Sequence, residues 1–162
     1  MFVRTKKIKG KPYAYLVENH WTKNGARQKV LGYLGGIEVC SRISQLQFNA
    51  KHLTFSQIVE GLVLCELKSH GFMESGKRWR RGEIEWNPSL HTLRRNGVKV
   101  CLKINEGYLA EMTIQRLLGF TSKGKPENVA LKLADSFVLA GIGIPKDVFV
   151  EAYQRLGKRF QF

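Results

Sequence analysis

Residues 1–36, MFVRTKKIKGKPYAYLVENHWTKNGARQKVLGYLGG, are the stretch that decides the fold of this chain. Three runs rich in Val, Ile, Leu, Tyr and Trp are separated by the turn signals Gly10-Lys11-Pro12 and Lys23-Asn24-Gly25. Gly and Asn accept positive φ and Pro presets a turn angle, whereas the aromatic and β-branched runs favour extended backbone. The pattern predicts a three-stranded antiparallel meander with strands at about 2–9, 13–21 and 27–34.

The faces of this meander follow from the alternation of side chains along a strand. In the second strand, one face carries Tyr13, Tyr15, Val17 and Trp21, and the other carries Ala14, Leu16, Glu18 and His20. In the third strand, strict alternation places Arg27, Lys29, Leu31 and Tyr33 opposite Val30 and Leu34. Each face is mixed, so the sequence leaves open which one is buried.

The same segment carries half of the formal charge of the protein. Eight lysines and arginines stand against one acid, Glu18, which gives a net charge of +7 out of +14 for the whole chain. A disordered basic tail would be poor in aromatic and β-branched residues, and this segment is rich in them. Cations held on a rigid, aromatic-bearing sheet favour a nucleic acid as partner. The alternative is a solvated basic surface that keeps the protein soluble.

The pattern FVRTKKIKGKPYAYLVENHW, followed by Asn24-Gly25, Arg27-Gln28-Lys29-Val30 and Tyr33-Leu34-Gly35, resembles the N-terminal β-module of DDE-type insertion-sequence transposases. The resemblance covers about residues 1–36 and implies that this module contacts DNA. The ribonuclease-H-like catalytic domain of those enzymes, with its three carboxylates, does not fit in 162 residues, so no catalysis is implied. Gly35-Gly36 is expected to be a flexible exit from a basic module at 1–36 into an α+β domain at 37–162.

Composition narrows the class of protein. With 43% hydrophobic residues and a pI near 10.0 the chain is globular and strongly basic, which indicates nucleic acid or, less often, an anionic membrane surface. No apolar run long enough to span a bilayer is present, and the charged N-terminus lacks a secretory apolar core, so a cytoplasmic protein is expected. The three cysteines, Cys40, Cys65 and Cys101, lie far apart and are predicted to be reduced, without disulfide or zinc.

The remainder of the chain predicts an α+β fold with a β-hairpin and about four helices. Thr54-Phe-Ser-Gln57 is a capping box that starts a helix at 55–69, and further helices are predicted at 106–118, 127–140 and 146–156. Asn96-Gly97 predicts a type I′ hairpin over 90–104. Its buried face should carry Leu93, Val98, Val100, Leu102 and Ile104.

A second basic unit spans residues 77–103, where eight basic residues meet Glu83 and Glu85. In the hairpin, Arg94 and Lys99 are predicted to lie directly opposite each other, and such like-charge pairs are destabilising. A polyanion would relieve the repulsion, and so would Glu83 or Glu85 on a neighbouring strand.

These observations predict a non-enzymatic nucleic-acid-binding protein with two basic β-surfaces, with DNA favoured slightly over structured RNA. No cofactor, metal site or catalytic constellation is predicted. Three alternatives remain: a ribosome-associated RNA-binding protein, a metal-dependent nuclease using Glu83 and Glu85, and a protein-interaction module whose C-terminal helices bind a protein partner. The predicted contact residues are Arg4, Lys6, Lys7, Lys9, Lys11, Tyr13, Lys23, Arg27 and Lys29 in the meander, and Lys77, Arg78, Trp79, Arg80, Arg81, Arg94, Lys99 and Lys103 in the second unit.

Overall fold

The N-terminal meander consists of β1 (Phe2–Ile8), β2 (Lys11–Thr22) and β3 (Gly25–Val39). The structure is a computed structural model that describes residues 1–121 and 123–160, with side chains described as far as residue 157. All pairings in the meander are antiparallel, as predicted. The first turn is centred on Lys9-Gly10, where φ is 48° and 77°, and Lys11 and Pro12 already belong to β2.

Strand β3 does not end at a flexible exit, because it continues through Gly35-Gly36 to Val39. Its last residues pair in parallel with β8 (Val98–Ile104), so that Gly36 lies beside Val100 and Ile37 beside Cys101. Gly35 has a φ of +126°, and a Cβ at this position would lie 2.6 Å from the Cα of Val100. The two glycines therefore allow two strands to approach closely, and the boundary expected at residue 36 falls inside a strand.

A second antiparallel ladder completes one mixed sheet. It consists of β4 (Met73–Ser75), β5 (Arg78–Arg81), β6 (Ile84–Asn87) and β7 (Thr92–Arg95), which leads into β8; β9 (Gly107–Leu109) pairs with β8 off the main path. The strand order is β1-β2-β3-β8-β7-β6-β5-β4, so β1 and β4 are the opposite edges. The Asn96-Gly97 hairpin is confirmed, with both central φ angles positive and Arg94 opposite Lys99.

The described residues form four helices: α1 (Phe55–Ser69), α2 (Glu111–Leu118), α3 (Pro126–Leu139) and α4 (Lys146–Phe160). The α+β prediction is thus confirmed. The capping box is also present, since the backbone N–H of Gln57 donates to Thr54 Oγ1 at 3.3 Å and that of Thr54 donates to Gln57 Oε1 at 2.9 Å. Among these helices none has both the length and the apolar character that crossing a bilayer requires.

Two predicted helix limits were wrong. The helix expected from residue 106 starts at Glu111, because residues 107–109 first pair with β8. Asn105 does not cap this helix, and its side-chain amide donates to the carbonyl of Gly141 at 2.7 Å. The last helix runs past Gly157 to Phe160, beyond the limit of 156 that the glycine suggested.

The sheet is buried on both faces where β8 runs through its centre. Val100, Leu102 and Ile104 belong to the main core, which also contains the buried sides of α1, α3 and α4. Cys101, which points the opposite way, lies in a second core with Ala14, Leu16, Leu34 and Ala110. Val98, predicted to be buried, is 65% exposed because it lies at the start of the strand beside the turn.

A buried polar network connects distant parts of the chain around Glu66, which is 4% exposed. Arg42 donates to Glu66 Oε2 at 2.8 Å, and the backbone N–H of Gly143 donates to Oε1 at 2.8 Å. Arg42 also donates to Asn105 Oδ1 at 3.1 Å. The network joins the segment after β3 to α1, to the β8–β9 turn and to the α3–α4 connection.

Candidate nucleic-acid interface

The structure decides which face of the meander is buried. Ala14 and Leu16 are fully buried in the second core, where Met112 of α2 packs against them. Side chains alternate along a strand, so Tyr13, Tyr15 and Trp21 lie on the opposite face. That face, which we call the open face, carries exposed or half-buried side chains apart from Val17.

Three of the predicted cations lie on the open face. Arg4 is the register partner of Tyr15, Lys6 is the partner of Tyr13, and Lys11 is the partner of Ile8. Lys6 Nζ is 5.6 Å from the centre of the Tyr15 ring, a cation–π distance. None of the three forms an ion pair within the described residues, so their charges are available to an external anion.

Three tyrosines form a cluster beside these cations. The ring centres of Tyr15 and Tyr33 are 5.4 Å apart, and those of Tyr13 and Tyr33 are 6.3 Å apart. Partial burial, followed by the neighbouring Tyr13 and Tyr15 hydroxyls, raises the pKa of Tyr33. The Tyr33 hydroxyl therefore keeps its proton near neutral pH and can donate a hydrogen bond. The cluster offers fixed aromatic edges and hydroxyl donors next to positive charge.

Strict alternation predicted that Tyr33 shares a face with Lys29 and lies opposite to Val30, and this prediction was wrong. Register shifts between Ala14 and Tyr15, and again between Leu16 and Val17, give β3 two extra residues against β2. Each extra residue reverses the direction of the side chains that follow it. As a result Tyr33 pairs with Tyr15, and Val30 pairs with Val17 on the same face. No local sequence signal marks these bulges.

The other predicted meander cations point elsewhere. Lys7, Arg27 and Lys29 lie on the face opposite to the open face, while Lys9 and Lys23 lie in turns at the two ends of β2. On that opposite face Glu18 lies 2.6 Å from His20, and the His20 ring holds the pKa of Glu18 below its usual range. The meander therefore keeps most of its positive charge uncompensated, but spreads it over two faces.

The second basic unit is largely neutralised by the protein's own acids. Glu85 accepts hydrogen bonds from Arg78 and from Arg80, whose Nε is 2.9 Å from Oε2. These hydrogen bonds hold the pKa of the Glu85 carboxyl below its usual range, with that of Arg80 contributing most. Arg95 lies 2.7 Å from Glu38, which sits at the end of β3.

The predicted like-charge pair of the hairpin is also compensated internally. Glu111, the first residue of α2, lies 3.7 Å from Arg94 and 3.4 Å from Lys99. Glu83 and Glu85 were expected in this role, whereas the acid that fills it is Glu111, because β9 pairs with β8 immediately before α2 begins. An external polyanion is not needed to relieve the repulsion.

The remaining residues of the second unit do not form a cationic face. Arg81 donates to the Cys40 sulfur at 2.8 Å, and half-buried Trp79 lies beneath Lys68, whose Nζ is 4.8 Å from the ring centre. Among the predicted cations of the second unit, and within the described residues, only Lys77 and Lys103 have no side-chain hydrogen bond or ion pair. In the strand order β8, β7 and β6 lie between β3 and β5, so the arginine-rich strand β5 is not beside the meander, and only β8 of the second unit pairs with β3.

The carboxylates considered for metal binding are occupied by arginines. Glu85 binds Arg78 and Arg80, and Glu83 lies 3.8 Å from Arg95. In residues 1–121 and 123–160, no three His, Cys, Asp or Glu side chains come together as a metal ion requires.

No protein-family model matches the chain, and neither a curated protein nor a solved structure matches it.

Proposed function

We propose that this protein binds nucleic acid through the open face of its meander and performs no chemistry on it. The observation that carries the proposal is the placement of Arg4, Lys6 and Lys11, which lack acidic partners, around the tyrosine cluster. Cations held at strand spacing suit a phosphate backbone, and tyrosine rings and hydroxyls suit bases and sugars. The proposed location is the cytoplasm.

The proposal is limited to the open face, because most cations of the second basic unit already form ion pairs with acids of the protein. Arginines that already bind Glu85 would have to exchange an internal partner for a phosphate, and little free energy is gained by that exchange. Duplex DNA is the first candidate partner, in agreement with the transposase-like pattern of residues 1–36. Structured RNA, including ribosomal RNA, is the second, because the tyrosine cluster could stack on unpaired bases.

Binding can be tested by fluorescence anisotropy with a labelled mixed-sequence duplex of about 24 base pairs, between about 50 and 300 mM KCl. Affinity should fall steeply with salt, with a slope of about −0.9 for each phosphate neutralised. Changing Arg4, Lys6 and Lys11 together to Gln should reduce both the affinity and the slope. A structured RNA and a single strand, titrated in parallel, identify the preferred class.

The matched control changes Lys51, Lys125 and Lys146 to Gln, since all three are exposed, lie outside both basic units and remove the same charge. This control should bind nearly as the wild type does. Equal losses in both triple variants would show that only net charge matters and would overturn the assignment to the open face. Absence of salt-dependent binding by the wild type would overturn the function itself.

The nuclease alternative has its own readout. Incubation of each nucleic acid with Mg²⁺ should leave it intact, and Glu83→Ala with Glu85→Ala should not weaken binding, because it releases Arg78 and Arg80 from Glu85. Cleavage that disappears in this double variant would favour the nuclease instead.

A further inference from the structure

The β2–β3 hairpin extends beyond the rest of the sheet as a two-stranded arm. Strand β1 pairs with β2 only as far as Val17, so residues 18–22 and 25–29 have no third strand beside them. Every residue from 19 to 30 is exposed, on both faces. Five pairs of residues give the arm a length of about 17 Å.

The two faces of the arm differ in chemistry. On one face Asn19 is paired with Gln28, and Trp21 is paired with Ala26. On the other, Glu18 is paired with Lys29 and His20 with Arg27. The first face is uncharged and continues the open face that carries Arg4 and Tyr15, since Asn19 and Trp21 alternate in step with Tyr15 along β2.

Trp21 is exposed to 85%, more than any other large apolar side chain in the part of the chain described. A tryptophan at the end of a projecting ribbon has no packing role in its own fold. Tryptophan is enriched at interfaces, where its ring supplies a large apolar contact and its N–H a hydrogen-bond donor. Its neighbours on the same face are the amides of Asn19 and Gln28 and the methyl group of Ala26. A partner that matches this face offers both hydrogen-bonding groups and apolar groups.

We infer that the arm enters the major groove of duplex DNA and presents its uncharged face to the edges of A·T base pairs. This inference rests on the proposed nucleic-acid function and adds the substrate class and the mode of contact. Paired strands lie about 4.8 Å apart, so the ribbon with its side chains is about 10 Å wide. The major groove of B-DNA is about 12 Å wide and admits such a ribbon, whereas the minor groove, at about 6 Å, does not.

The side chains on this face match the groups that A·T pairs expose in the major groove. An Asn or Gln amide can bond both N6 and N7 of adenine, and an apolar side chain can contact the thymine methyl group. Asn19 and Gln28 supply the amides, while Trp21 and Ala26 supply the apolar surface one pair further along the arm.

One contact within the protein prepares Gln28 for this role. Arg4 on β1 donates to Gln28 Oε1 at 2.9 Å, which fixes the orientation of the amide. The oxygen keeps a second lone pair for adenine N6, and the amide nitrogen remains free to donate to N7. The charges of Lys23, Arg27 and Lys29, on the turn and the opposite face, are then available to the phosphates that flank the groove.

The test uses a duplex of about 24 base pairs of alternating A and T, and the same duplex with 7-deazaadenine, which lacks the N7 acceptor. The wild type should bind the 7-deaza duplex about tenfold more weakly, as expected for loss of a bidentate base contact. Asn19→Ala with Gln28→Ala should bind both duplexes equally weakly. Gln45→Ala with Gln47→Ala, two exposed amides outside the arm, should behave as the wild type.

A second measurement follows Trp21 directly. DNA should protect the tryptophan fluorescence from acrylamide quenching, because binding covers Trp21. The change reports mainly on Trp21, since Trp86 is already buried and Trp79 is half-buried in the free protein. Replacing thymine by uracil should weaken binding of the wild type but not of Trp21→Ala. Quenching that is unchanged by saturating DNA would overturn the inference.

The outcomes separate this inference from the function on which it rests. A variant in which Asn-Gly replaces residues 19–28 should fold, as judged by circular dichroism, and lose the preference for unmodified A·T duplex. If this shortened variant binds as the wild type does, while the Arg4, Lys6 and Lys11 triple variant binds more weakly, the arm inference is overturned and the proposed function stands. Equal affinity for double-stranded RNA would also overturn it, because the A-form major groove is too narrow and deep. If the whole chain binds no nucleic acid, both are overturned.

Discussion

The Oε2 atom of Glu111 lies 3.4 Å from the ammonium nitrogen of Lys99. The same oxygen is 3.7 Å from Arg94, so one carboxylate lies between the two cations that face each other in the hairpin. Because Glu111 opens α2, it also interacts favourably with the helix dipole. The Glu111 carboxylate therefore offsets the repulsion that the sequence of the hairpin suggests.

We expect Glu111→Gln to lower the free energy of unfolding by about 1 kcal/mol, since it leaves Arg94 and Lys99 without a counter-charge. Urea denaturation measures the change. Glu127→Gln is the matched control, because Glu127 occupies the first turn of α3, is exposed and forms no ion pair within the described residues. Equal losses in both variants would mean that the helix dipole alone explains the effect.

Gly35→Ala should be destabilising by about 2 kcal/mol or more, because positive φ is unfavourable for alanine and the added methyl meets the backbone of Val100. Gly36→Ala has open space around the new Cβ and should change stability far less. The midpoints of thermal unfolding compare the two. Similar midpoints would contradict the close approach of β3 to β8.

Glu66→Ala should cost about 3 kcal/mol, because the N–H of Gly143 and the Arg42 guanidinium lose their acceptor in a buried site. Glu60→Ala, on the exposed side of the same helix, is the comparison and should cost much less. Hydrogen exchange should show the loss locally, as faster exchange of the Gly143 amide. An unchanged rate there would contradict the network.

The protein should lose stability in alkali through Cys101. Burial raises the pKa of its thiol to about 12, whereas in the unfolded chain the thiol ionises near 9.0. The folded state therefore retains a proton that the unfolded state releases, and its stability decreases as pH rises between these values. Cys101→Ala should show a smaller loss than the wild type over that interval in urea melts.

Thiol alkylation provides an independent check on the same residue. Half-buried Cys65 should react first at about pH 8, and Cys101 should react only on unfolding. Modification of Cys101 in the native protein as fast as that of Cys65 would contradict its burial.

Acid should weaken the ion pairs of the second basic unit. The pKa of Glu85 lies below its usual value of 4.5, so the carboxylate stabilises the folded state above that value and loses this effect as pH falls through its lower folded pKa. Glu85→Gln should therefore be less stable than the wild type at neutral pH. The difference should disappear in strong acid, which stability curves of both proteins against pH can measure.

The strands of the meander, the capping box and the hairpin turn were predictable because each depends on residues close together in the chain. Thr54 and Gln57 satisfy each other's backbone across a single helical turn, and Asn96-Gly97 tolerates the positive φ that its turn needs. The sequence also located the dense positive charge, because composition is independent of folding.

Only the tertiary structure decided which charges remain available and which face carries them. Two bulges in β3 moved Tyr33 to the face of Tyr15, and Glu111 neutralised a pair that the sequence left repelling. Local preferences act over a few residues and set the conformation of each segment. The partner of a charge or the cover of a sheet face depends on residues far apart in sequence, and their positions are fixed only when the whole core packs.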